Sequence, residues 1–108
     1  MTKVDDTLLQ EMTDRLVRTF APEQVILFGS RAWGRPDEGS DVDLYVIVSE
    51  SSERPLQRAR RALACLSGLQ VAKDVLVRTR AEAEKFRDVY ASLESQVFEK
   101  GRVLYERH

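Results

Sequence analysis

Two short apolar runs, Val25-Ile26-Leu27-Phe28 and Val42 to Val48, lie between stretches of helical period, and this alternation most narrows the folds open to the chain. Continuous apolar runs of this length read as buried strands. The first ends at Gly29. The second is rich in β-branched residues and is interrupted only by Asp43. Ahead of them, Leu8, Leu9, Met12, Leu16, Val17 and Phe20 recur at helical spacing within Asp5 to Phe20, and Pro22 stops that helix.

Beyond the second strand, a helix is expected from Ser52, with Pro55 in its first turn and Gly68 closing it. Leu69 to Val77 reads as a third strand, expected to be central. Thr79-Arg80-Ala81-Glu82 fits a capping box that opens another helix. A last short helix, Leu93 to Lys100, is stopped by Gly101, after which Val103-Leu104-Tyr105 suits an edge strand or a core contact. Ser30 to Asp41 holds Gly34, Pro36, Gly39 and Ser40 and is expected to be loop or a short helical turn. Strands alternating with helices imply an α/β (α+β) fold: a single mixed sheet with helices packed on one face, residues 1–108 forming one domain.

With 108 residues, 43% of them hydrophobic and 32% charged, the chain has material for one ordinary core. Its 17 basic and 18 acidic residues leave no basic excess, so direct nucleic-acid binding is not expected. The polar N-terminus and the lack of a long apolar run argue against a secretory signal and a membrane span, which favours a cytoplasmic setting. Cys65, in Ala62-Leu63-Ala64-Cys65-Leu66, reads as a small core residue.

Chemistry concentrates at the mouth of the second strand. Aspartate is disfavoured inside strands, yet Asp41 and Asp43 open the most apolar one. Residues two apart on a strand share a face, so both carboxylates project together while Val42 and Leu44 point the other way. Their repulsion would leave one protonated unless a divalent cation intervened, and oxygen ligands beside phosphates favour Mg²⁺. Asp-x-Asp by itself is a weak signal, equally suited to solvating a strand mouth. Gly29-Ser30 strengthens it. A residue without Cβ lets the backbone approach a ligand, and the amides and hydroxyl that follow suit an anion. A phosphate-binding turn beside metal-binding carboxylates describes a nucleoside triphosphate with its metal. A third carboxylate would complete a two-metal site, and Asp74 is the acidic residue within Val71 to Val77. The alternative for Asp74 is an ion pair with Lys73 or Arg78.

Gly29-Ser30-Arg31-Ala32-Trp33-Gly34, followed by Ser40-Asp41-Val42-Asp43-Leu44, resembles the minimal nucleotidyltransferases of the DNA polymerase beta superfamily. Ala72-Lys73-Asp74-Val75 resembles the third-carboxylate strand of that family, and Glu99 to Arg107 is similar to the close of many of these small domains. Trp33 stands where many relatives carry a basic residue, and these 108 residues are not expected to include the substrate-binding domain of larger relatives. The resemblance implies a polymerase-beta-like fold with Asp41, Asp43 and Asp74 gathered at one end, as catalytic residues and ligands of two Mg²⁺ ions. Gly29, Ser30 and, as a further phosphate contact, Arg31 would bind the nucleotide. It implies an antitoxin that moves AMP from ATP to a tyrosine of a cognate HEPN-domain toxin, within a hetero-oligomer. Alternatives are a non-catalytic antitoxin acting by contact and a small-molecule nucleotidyltransferase.

Three other features stand out. Arg54, Arg58 and Arg61 are expected on one helix face, opposite Leu56, Ala59, Leu63 and Leu66, as a solvated surface or one that docks on an acidic partner. Trp33 is expected to pack under its loop. His108 is given no role.

Overall fold

The computed structural model describes residues 4–34 and 41–107. Pro36, Gly39 and Ser40 of the expected loop, and His108, lie outside the described residues.

Helix α1 (Asp6–Phe20) begins where the Asp5 carboxylate accepts the Leu8 amide at 2.9 Å, satisfying one of the donors a helix start leaves open. Its buried positions, Leu8, Leu9, Met12, Thr13 and Leu16, follow the apolar period, and the Thr13 hydroxyl donates to the Leu9 carbonyl at 2.7 Å. The helix closes on Ala21, whose φ of 46° is left-handed, and Pro22 blocks a further turn.

Strands β1 (Gln24–Phe28) and β2 (Val42–Val48) pair antiparallel, β3 (Lys73–Thr79) joins β2 in parallel, and β4 (Arg102–Glu106) pairs antiparallel with β1. The order β3-β2-β1-β4 makes a mixed four-stranded sheet and confirms the α+β class. It also corrects one expectation: β3 is an edge strand. Among the described residues four strands form the sheet, and β4 takes the free side of β1 rather than that of β3. The third strand also starts at Lys73, later than Leu69.

Both sheet faces are covered. Helices α1 and α3 (Pro55–Cys65) pack on one face, over Val25, Leu27, Val42, Leu44, Val46, Val48, Val75 and Val77. The other face carries a smaller cluster in which Ile26, Phe28, Tyr45 and Ile47 meet Trp33 of α2 (Ser30–Trp33), Ala83 of α4 (Arg80–Lys85), and Val97 of α5 (Leu93–Lys100). This corrects the expectation of helices on one face only: α1 and α3 cover one face, and the short helices α2, α4 and α5 bury the apolar residues of the other. Thr79 caps α4 in the expected box, exchanging bonds with Glu82 at 3.2 and 2.8 Å. Gly101 ends α5 as expected; a Cβ there would meet the Val97 carbonyl and the Ile26 side chain.

Helix α3 departs from expectation. Arg58 is not on a solvated face: it is 3% exposed, while Leu56 and Leu63 face solvent. The buried stripe is Arg58, Ala62 and Leu66. Arg58 is tolerated there because every part of its head has a partner. It grips Glu82 through two bonds, 2.7 and 3.1 Å, and donates to the carbonyls of Val77 at 2.8 Å and Glu53 at 3.1 Å. The outermost expected partner, Arg61, is half-exposed, pairing with Glu53 and lying 4.4 Å from the Phe20 ring centre. Among the described residues no helix is long and apolar enough to cross a membrane.

Candidate active site

Where β1 ends, Gly29 turns the chain with φ 78° and ψ −159°, a conformation open essentially to glycine. The Gly29 carbonyl then accepts the amides of Ala32 and Trp33 at 3.0 and 3.1 Å, and the Ser30 carbonyl accepts Gly34 at 2.9 Å, which winds the single turn α2. Ser30 is exposed at its start, and Arg31 is half-buried. Trp33 anchors the turn to the sheet: its ring sits 6.3 Å from Phe28, which meets Tyr45 edge-on at 6.3 Å. This is the packing expected of Trp33, and it holds the Gly29-Ser30 backbone against the strand ends.

Asp43 lies between the flanking strands. It is in register with Phe28 on β1 and with Asp74 on β3, so two carboxylates stand on neighbouring parallel strands with Gly29 just beyond. A Cβ on Gly29 would occupy the place of the Asp43 carboxylate. Asp41 precedes β2 and is exposed, as is Asp74, whereas Asp43 is half-buried. Burial raises the Asp43 carboxyl above its usual range, and the charges of Asp74 and Asp41 raise it further. The three sequence candidates therefore interact electrostatically at one end of the sheet. Val42 and Leu44 are buried on the opposite face, as strand alternation requires.

The cations beside Asp74 are engaged elsewhere. Lys73 donates to the carbonyls of Leu69 and Val71 at 3.0 and 3.2 Å, and Arg78 to that of Val77 at 3.3 Å. Neither forms a salt bridge with Asp74 among the described residues. Among the described residues, no group of three or more His, Cys, Asp or Glu side chains converges as a ready metal cage. A half-buried carboxyl whose ionised form is disfavoured, beside two exposed ones, nevertheless suits a hard divalent cation. Mg²⁺ retains waters and takes one or two carboxylates together with substrate phosphates, so it needs no enclosing protein cage.

Residues 10–108 match the family model described as Polymerase beta, Nucleotidyltransferase. The chain belongs to this family. A crystal structure of a "putative nucleotidyltransferase" from Sulfolobus solfataricus shares the fold, with a TM-score of 0.67 and 19% identity over 94% of this chain and 79% of that one. No curated protein matches the chain. The family assignment makes the chain a nucleotidyltransferase, and the Gly29 turn with Asp41, Asp43 and Asp74 is its candidate active site.

Two buried polar interactions were not read from the sequence, one close to Asp43 and one at the far end of β3. The Tyr45 hydroxyl, buried two residues along β2 from Asp43, donates to Glu94 of α5 at 3.0 Å. Burial and the Glu94 bond raise the phenol well above its usual range, so it stays protonated as a donor. The Arg58–Glu82 pair ties α3 to α4 across the end of β3. Tyr45 carried no signal beyond its place in an apolar run. Arg58 carried one: it shares an i, i+4, i+8 stripe with Ala62 and Leu66.

Proposed function

We propose that this nucleotidyltransferase moves AMP from ATP to a hydroxyl of a cognate protein, a tyrosine of a HEPN-domain toxin, and acts as its antitoxin. The observation that supports transfer is the register pairing of Asp43 with Asp74 beside the Gly29 turn. Asp41 and Asp43 would hold two Mg²⁺ ions, with Asp74 a ligand of one. When bound, the ions supply charge stabilisation at the α-phosphoryl group and ease departure of pyrophosphate.

The chain's own groups do the remainder. Ser30 and the Gly29 backbone grip the terminal phosphates, and Arg31 adds a phosphate contact. Asp74, exposed at the sheet edge, can be reached by an acceptor hydroxyl and takes its proton as the new bond to the α-phosphorus forms and the bond to the β-phosphate oxygen breaks. The partner is assigned on the family resemblance of the small domain.

Incubation with α-labelled ATP, Mg²⁺ and the product of the adjacent gene tests this, with Asp41→Ala and Asp43→Ala run alongside. Label on the partner that vanishes in both variants is the expected result. Neutralisation that survives both substitutions with no label transferred would replace the enzyme with an antitoxin acting by contact.

A further inference from the structure

Helix α3 carries an unpartnered seam on the side turned away from the sheet. Leu56 and Leu63 stand two turns apart, 62% and 41% exposed, with Arg60 between them on the same face. Single exposed leucines are ordinary. Here the pair rides on a helix, Pro55–Cys65, that contains no acidic residue. Arg58 and Arg61 are committed to Glu82 and Glu53. Arg60 is exposed and forms no salt bridge among the described residues.

We propose that the outer face of α3 docks an acidic amphipathic helix of a partner protein. Apolar side chains of that helix cover Leu56 and Leu63, and its carboxylates meet Arg60. A second copy of this chain is the wrong occupant. A two-fold pairing of α3 with itself about the leucine seam sets one Arg60 guanidinium near the other, with no acid on either helix to offset them. The seam belongs to the helix that packs over Val42 and Leu44, whereas Asp43 projects from the other side of the sheet. A partner held on α3 therefore leaves the carboxylates open. Docking requires no transfer chemistry and is tested separately from it.

The probe is a synthetic amphipathic helix with a leucine seam flanked by glutamates, added to the full chain and followed by amide chemical shifts and calorimetry. A matched peptide with lysine replacing glutamate is the control. Shifts should centre on α3, and binding should weaken about tenfold in Arg60→Glu and in the Leu56→Ser/Leu63→Ser variant, a loss of about 1.4 kcal/mol. Raising salt from about 0.05 to about 0.3 M should weaken it as well. Unfolding midpoints confirm that the variants are folded, and Arg60→Gln serves if Arg60→Glu is not. No binding, equal affinity for the lysine peptide, shifts centred elsewhere, or variants that bind unchanged would overturn the proposal. So would self-association of the chain that Leu63→Ser abolishes, since a second copy would then be the occupant.

Discussion

Gly29→Ala is expected to destabilise the protein by about 2–6 kcal/mol through two separable effects. The backbone at φ 78° and ψ −159° costs a residue with a Cβ about 1–3 kcal/mol. The new methyl also collides with the Asp43 carboxylate and lies 3.2 Å from its Cγ, an overpacking cost of about 1–3 kcal/mol. Against a total stability of about 5–15 kcal/mol, the loss should be plain in a urea titration as a lower midpoint at unchanged slope. Adding Asp43→Ala to the same chain removes the collision and leaves the backbone strain. The double variant should therefore be more stable than the sum of the single changes predicts, by about 1–3 kcal/mol. Strict additivity, within about 0.5 kcal/mol, would show that the carboxylate does not fill the space that glycine vacates. A cost below about 1 kcal/mol for Gly29→Ala would also refute the strain. Nucleotidyl transfer, measured on the single variant at a temperature where it remains folded, should fall about a hundredfold, since displacing Asp43 misplaces the carboxylate pair.

The other expectations concern charge. Asp43 is raised in the fold, so the native state keeps its proton to higher pH than the unfolded chain, and stability is lost as pH rises from 3.8 through the folded value. Asp43→Asn should therefore be more stable than the wild type at neutral pH without metal, and the two should converge below pH 3.8; an equal difference at both ends defeats this account. The same variant should lose transfer about a hundredfold or more, the scale of removing one group that stabilises a charged transition state. Arg58→Met keeps most of the volume but strips the Val77 and Glu53 carbonyls of a donor, and should cost about 2–4 kcal/mol by denaturant titration. Glu82, held at about 2 by its bond to Arg58 against an ordinary 4.5, contributes stability that is whole above pH 4.5 and gone near pH 2. Its side chain is 39% exposed, so screening should limit the contribution to about 1 kcal/mol, and Glu82→Gln should flatten the acid limb of the stability curve.

Local chemistry was legible along the chain. The period of α1, the run Val42 to Val48, the Thr79–Glu82 box and the stop at Gly101 all depend on residues a few positions apart, and the structure shows each. A common strand face for Asp41 and Asp43 was expected from the two-residue repeat, but β2 begins at Val42, so Asp41 sits just ahead of the strand and acts on Asp43 through its charge. Strand neighbours are another matter, because pairing is chosen by the whole chain. Only the parallel docking of β3 on β2 puts Asp74 beside Asp43, and the same sheet order leaves β3 at the edge, with Asp74 exposed rather than enclosed. Arg58 shows the same divide. Its place on the buried stripe of α3 depends on Glu82, 24 positions away, whose carboxylate makes burial of the guanidinium tolerable. By itself the sequence determined the elements and which side chains share a face, since sterics and period act over a single turn or strand. The tertiary structure decided which elements touch, and therefore which carboxylates repel, which arginine is buried, and which leucines are left on the outside of α3.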